Sequence, residues 1–150
     1  MRVVIQRVTQ ASVSIDAAKV AEIGPGLVVL LGIIDSDTSE DILWLSNKLT
    51  NLRIFNDANA VMNTSLKDSQ GAAIVVSQFT LYAQTKKGNR PSYIKAAKLE
   101  VAKPLYEQFV QQFESDLEQT VQTGEFGADM KVALINDGPV TIIIDSKERA

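Results

Sequence analysis

Apolar and polar positions alternate through Arg2-Val3-Val4-Ile5-Gln6-Arg7-Val8 and on to Val13, the two-residue period of a strand with one buried face. Val20 to Ile23 continues the pattern as a paired second strand, and Gly24-Pro25-Gly26 supplies a turn. Leu27 to Ile34 is almost unbroken in its apolarity and predicts an inner strand. The period then lengthens. From Thr38 to Asn51, Ile42, Leu45, Leu49 and Leu52 fall on one helical stripe, with Glu40, Asp41 and Lys48 mostly outside it. Trp44 flanks that stripe and is expected to pack against the core. Asp37 reads as the N-cap, with Glu40 three places on completing a capping box. Arg53 to Phe55 is a short strand, and Asn56 to Gln70 a polar connection with a weak hairpin at Asp57 to Asn59.

The stretch Ala72 to Ala83 begins as a β-branched apolar run, a strand buried on both faces, and turns polar at Ser77, Gln78 and Thr80 without a Gly or Pro. Hydroxyl and amide groups at the end of a core strand need partners, so they either satisfy nearby backbone or form the rim of a pocket. Gln84 to Tyr93 carries Lys86, Lys87 and Arg90 without apolar periodicity and predicts a surface loop. A long helix over about Ala96 to Leu117 buries Leu105, Phe109 and Phe113, with Pro104 either kinking it or marking its start. Thr120 to Thr123, Lys131 to Asn136 and Val140 to Asp145 supply closing strands. Between the last two, Asn136-Asp137-Gly138-Pro139 reads as a hairpin turn, in which Gly-Pro can also hold carbonyls in one direction as a rigid wall. The sum is a strand-rich α+β domain over residues 1–150 with two principal helices.

Composition narrows the chemistry. The chain has 150 residues, 45% apolar and 22% charged, with net charge −3, enough for one core. No apolar run approaches the roughly 20 residues that span a bilayer, and the charged, alternating start is a first strand and not a signal peptide. A mildly acidic balance disfavours nonspecific nucleic-acid binding over the whole surface but leaves room for a local basic patch. With no Cys and no His, the cysteine nucleophile, the serine–histidine triad and histidine-based zinc sites are all removed. Catalysis would fall to carboxylates, Lys, Tyr, Ser/Thr, backbone groups or the substrate, and no metal-ligand cluster or cofactor motif is expected.

Several blocks together resemble the D-aminoacyl-tRNA deacylase family: Gln6-Arg7-Val8, Ser77-Gln78-Phe79-Thr80, Gly88-Asn89-Arg90-Pro91-Ser92, Gly124-Glu125-Phe126-Gly127-Ala128-Asp129-Met130 and Asn136-Asp137-Gly138-Pro139-Val140-Thr141. The similarity runs from the first strand to about Asp145. Tyr93 stands where the family usually has Phe, and Asn59-Ala60-Val61 replaces its usual Gly-Lys turn, with Asn59 able to take the left-handed conformation. The tail Ser146 to Ala150 is unassigned.

The resemblance implies a mixed, barrel-like sheet and a cytoplasmic homodimer, without membrane or DNA partners, that hydrolyses the ester joining a D-amino acid to the terminal adenosine of tRNA. Glycyl-tRNA is implied as a further substrate. Ser77, Gln78, Phe79 and Thr80 would form the catalytic rim, with backbone N–H groups near Phe79 and Thr80 receiving the oxyanion. Gly138 and Pro139, joined by a cis bond, would reach into the partner subunit's pocket and exclude L-substrates. Arg7, Met130, Asn136, Val140 and Thr141 would support that arrangement. Lys86, Lys87 and Arg90, extended by Lys95 and Lys98, would meet tRNA phosphates. Two other readings compete: a non-catalytic binder of a small ligand, and a hydrolase of free D-amino-acid esters or peptides that ignores RNA.

Overall fold

Strand β1, Arg2–Ile15, is the hub of the sheet because it is long enough to serve three neighbours. In the computed structural model, which describes residues 1–150, its first half pairs antiparallel with β3 (Gly26–Gly32) and its second half with β2 (Ala18–Ile23). Strand β8, Lys131–Asp145, runs antiparallel to both halves of β1. Beyond β3 lie β6 (Ala72–Ser77) and the two-residue β7 (Gln122–Thr123), both added in parallel, which makes the sheet mixed. A small hairpin, β4 (Phe55–Asn56) with β5 (Met62–Thr64), stands apart. Its turn is held by Asp57, whose carboxylate accepts the Asn59 and Val61 N–H groups, and the left-handed residue is Ala60 and not Asn59.

The alternation read from the sequence sorts side chains onto two cores. Val3, Ile5, Leu27, Val29, Leu31, Ala73 and Val75 face helices α1 (Ser39–Asn51) and α2 (Leu99–Leu117), meeting Leu45, Leu49, Phe109 and Phe113. Val8, Val13, Ala21, Ile23, Val28, Ile74 and Val76 face the other way and pack on one another as the sheet curls. So β6 is buried on both faces, as its β-branched run requires. β3 and β6 come close at Gly26, where a Cβ would lie 1.9 Å from the Ala72 carbonyl oxygen. No helix is long and apolar enough to cross a membrane.

Three expectations are corrected. The N-cap of α1 is Thr38, one residue later than Asp37, and Asp41 is the acidic N3 partner, its carboxylate accepting the Thr38 N–H at 2.8 Å. Asp37 is instead buried against the Met1 α-amine and accepts the Ile34 N–H, a long-range pairing that local spacing does not reveal. Next, α2 starts at Leu99, later than expected, with Pro104 inside it and unable to donate to the carbonyl of Glu100. Finally, Lys131 to Asp145 is one strand and not a hairpin, since both of its halves pair with β1. The unassigned tail closes over α1: Ser146 Oγ donates to Asp41 at 2.7 Å, Lys147 Nζ bonds the same carboxylate at 2.7 Å, and the Arg149 guanidinium lies 4.4 Å from the Trp44 ring centre.

Candidate active site

β6 ends at Ser77, and the chain then turns through Gln78 into a single 3-10 turn, Phe79–Tyr82. The strand stops here because its neighbour stops: Ser77 is the last residue in register with β3, opposite Leu31, and the Gln78 N–H still reaches the Leu31 carbonyl at 2.8 Å. The first N–H groups of such a turn have no acceptor within it. Those of Phe79 and Thr80 open this one.

A cavity of about 250 Å³ lies against this junction. Ser77 and Gln78 form its polar rim with Phe79 beside them, Phe126 and Gly127 line it too, and Leu31, Ile33, Ala97, Leu99 and Ala102 complete it. No ionisable side chain lines it. Tyr106 of α2 ties the construction together. Its hydroxyl donates to the Val75 carbonyl at 2.8 Å, and its ring meets Phe126 edge-on at 5.4 Å. Burial pushes that hydroxyl up to about 12, so it remains a neutral donor at ordinary pH. At the mouth, Phe79 is 57% exposed and packs edge-on against Tyr93 at 5.1 Å.

Thr80 does not line the cavity; its Oγ1 accepts a hydrogen bond from Gln78 Nε2. That bond occupies an oxygen lone pair and brings no base, an arrangement for holding the hydroxyl and not for activating it. Leu99 and Ala102 are not singled out by the sequence, and Phe126 enters there only as part of the Gly124 to Met130 block, without a role. Leu99 stands at the start of α2 and is more than half exposed, a feature that only the structure reveals.

The second predicted group sits on β8. While β1 advances from Gln6 to Val8, β8 goes from Thr141 back to Asn136, so its extra residues project as an excursion carrying Asp137, Gly138, Pro139 and Val140. The Gly138–Pro139 peptide is cis, and Gly138 adopts φ +129, closed to side-chain-bearing residues. Two side chains clamp the excursion. Asn136 accepts the Val140 N–H at 2.7 Å and donates to Thr141 Oγ1 at 2.8 Å. Arg7, buried, donates to the Asp137 carbonyl at 2.9 Å and to the Ile54 carbonyl at 2.7 Å. Gly138 and Pro139 are exposed and do not line the cavity of their own chain. Met130 is elsewhere, packed against the second core. Lys86, Lys87 and Arg90 sit on an exposed loop, where none of the three makes an ion pair.

Comparison with known proteins shows the family. The family described as D-Tyr-tRNA(Tyr) deacylase matches residues 4–145. The D-aminoacyl-tRNA deacylase of Flavobacterium psychrophilum is 68% identical over 149 residues, covering 99% of both chains, and that of Bacteroides fragilis (strain YCH46) is 59% identical over the same span. A solved structure described as c-Myc DNA Unwinding Element Binding Protein superposes with a TM-score of 0.90 at 39% identity, covering 97% of this chain and 98% of that one. Another, described as a probable eukaryotic D-amino acid tRNA deacylase, gives 0.83 at 18% identity over 95% and 97% of the two chains and speaks for the fold alone. With a family match over nearly all of its length and relatives this close, the chain belongs to the D-Tyr-tRNA(Tyr) deacylase family.

Proposed function

We propose that the chain hydrolyses the ester of D-aminoacyl-tRNA, and of glycyl-tRNA, as a homodimer in which each subunit's Gly138–Pro139 excursion enters the other's cavity. The observation that carries the chemistry is a cavity with a polar rim and no ionisable lining. An activated ester is one of the few bonds such a site can cleave. Backbone N–H groups of Phe79 and Thr80 stabilise the oxyanion, water attacks, and the ribose 2′-hydroxyl beside the ester assists. Gln78 fixes Thr80, which positions the ester and does not attack it.

Selectivity has the same economy. A site that accepts many D side chains cannot read the side chain, and fit alone yields about 1–3 kcal/mol per methylene. A wall of backbone carbonyls at the α-carbon rejects the L-isomer by collision. The excursion suits that task because Arg7 and Asn136 brace it and it leaves its own chain's surface. Lys86, Lys87 and Arg90 attract the tRNA backbone, so affinity weakens as salt rises.

One assay separates this from a binder and from an RNA-indifferent esterase. D-tyrosyl-tRNA should be cleaved and L-tyrosyl-tRNA spared, and a 2′-deoxy terminal adenosine should slow cleavage by about 100-fold. Binding without turnover would establish the binder, and indifference to the 2′-hydroxyl and the tRNA body the free-ester hydrolase. Thr80→Ser and Thr80→Ala should both retain measurable turnover, and an acyl group trapped on Thr80 would refute the water mechanism.

A further inference from the structure

A second cavity, of about 460 Å³, lies across a thin partition from the first. The partition is made of three segments that each line both cavities. Ile33 faces the first and Ile34 the second; on the 3-10 turn, Phe79 faces the first and Tyr82 the second; Ala97 faces the first and Lys95 the second. A hydrogen bond from the Ala97 N–H to the Ile33 carbonyl, at 2.9 Å, fastens it. The rim of the second cavity is also the root of the basic loop: Gln84 lines it and pairs with Ser92 through two backbone bonds of 2.8 and 3.0 Å, and Lys86, Lys87 and Arg90 lie between them.

Its lining carries both signs of charge together with amide and hydroxyl groups. Asp35, Asp145 and Glu148 stand beside Arg2, Lys95 and Lys147, with Arg2 paired to Asp145 and Lys147 to Asp41, so an isolated phosphate meets as much repulsion as attraction. A base with an exocyclic amine, on a phosphodiester, uses both signs: carboxylate and amide groups accept from the amine, and Lys95 meets the phosphate. Ile94, 83% exposed at the rim, offers an apolar surface to a base face. Tyr82 adds an independent sign. It is 7% exposed, its ring lies 4.7 Å beneath the Arg2 guanidinium, and its hydroxyl is buried without a hydrogen-bond partner. Such orphans are rare in finished interiors and call for a missing partner. Burial, with Asp145 and Asp37 nearby, pushes that hydroxyl well above the usual phenol range, so it remains protonated.

We propose that this second cavity is the subsite for the nucleotide preceding the terminal adenosine of the tRNA, with Tyr82, Gln84 and Lys95 as its binding residues. This rests on the deacylase reading of the first cavity. The RNA strand places its last nucleoside on one side of the partition and the one before it on the other, then passes along the basic loop. Single-stranded ends are bound in this manner, one base to a pocket.

The test compares three substrates: D-tyrosyl-tRNA, the same tRNA with an abasic penultimate nucleotide, and D-tyrosyl-adenosine. For each of Tyr82→Phe and Lys95→Ala, the ratio of kcat/KM on tRNA to that on D-tyrosyl-adenosine should fall roughly three- to tenfold, through KM. The abasic substrate should lose a similar factor with the wild-type chain and little more with Tyr82→Phe, the non-additivity of groups in contact. Tyr82→Phe removes an unpartnered hydroxyl and should melt no lower than wild type, so misfolding does not explain a loss. Unchanged ratios in both variants, or additive losses with the abasic substrate, would overturn the subsite. If the wild-type chain cleaves neither D-tyrosyl-tRNA nor D-tyrosyl-adenosine, the deacylase reading falls instead, and the subsite with it.

Discussion

Asp41 shows how much one side chain can organise. Its carboxylate caps α1 through the Thr38 N–H, accepts from Ser146 and pairs with Lys147, so it ties the helix start to the tail. Burial works against its charge, yet Lys147, Ser146 and the Thr38 N–H outweigh it and hold the carboxyl well below the usual carboxylate range. Asp41→Asn should therefore cost about 2 kcal/mol at neutral pH, read from the denaturant midpoint. Lys147 is part-exposed and screened, so it supplies the smaller share. The sign with pH follows from the depressed value. The stabilisation is complete above the unfolded carboxyl's pKa of about 3.9 and drains away as pH falls through the lower folded value. The gap between wild type and Asp41→Asn should close in acid; a gap constant from neutral pH down to acid would show that the charge is not what stabilises. Tyr106 carries the same weight beside the cavity. Tyr106→Phe removes the hydrogen bond to the Val75 carbonyl and should cost about 1 kcal/mol, with a raised KM because the ring that meets Phe126 is no longer tethered.

At the scale of elements, the sequence was most legible where a strand's two faces are both buried. Leu27 to Ile34 and the first half of Ala72 to Ala83 read as β3 and β6 because continuous apolar runs bounded by polar residues leave little else to build. It was least legible in β8. Asn136-Asp137-Gly138-Pro139 has the composition of a hairpin turn, and what makes it an excursion is β1, which continues past both halves and pairs with each. No local pattern carries that fact. The site divides in the same way: Ser77 and Gln78 could be found from polarity at the end of a core strand, whereas Leu99 and Ala102 reach the cavity from α2 and Phe126 from the connection before β8, where it meets Tyr106. The excursion's stiffness is testable at Asn136, which bridges its two ends. Asn136→Ala removes both bonds from the Val140 N–H and to Thr141 Oγ1, costs about 1 kcal/mol, and should raise hydrolysis of L-tyrosyl-tRNA with little change on the D-ester. A ratio of L- to D-hydrolysis unchanged from wild type would place the wall elsewhere.

At the scale of the whole molecule, the unpaired features lie together. β8 pairs with β1 alone, so its other edge is open along the strand, and Ile135 and Ile143 are exposed on it. An edge of that length is normally covered, and a second copy of the chain would cover it in a self-complementary way. The excursion would then belong to the neighbour's cavity, and mixing subunits reveals which cavity it guards. Asn136→Ala subunits keep Ser77 to Thr80 but have a slack excursion; Gln78→Ala subunits have the reverse. Co-expressed with a tenfold excess of Gln78→Ala, roughly nine-tenths of the Asn136→Ala cavities face an intact excursion. If the wall acts across the twofold axis, their hydrolysis of L-tyrosyl-tRNA should fall several-fold while D-ester cleavage per competent cavity persists. If it acts within one chain, the ratio of L- to D-hydrolysis stays at the value of Asn136→Ala alone, whatever the excess. Sedimentation of the mixture closes the remaining gap, because subunits that never pair cannot lend one another an excursion.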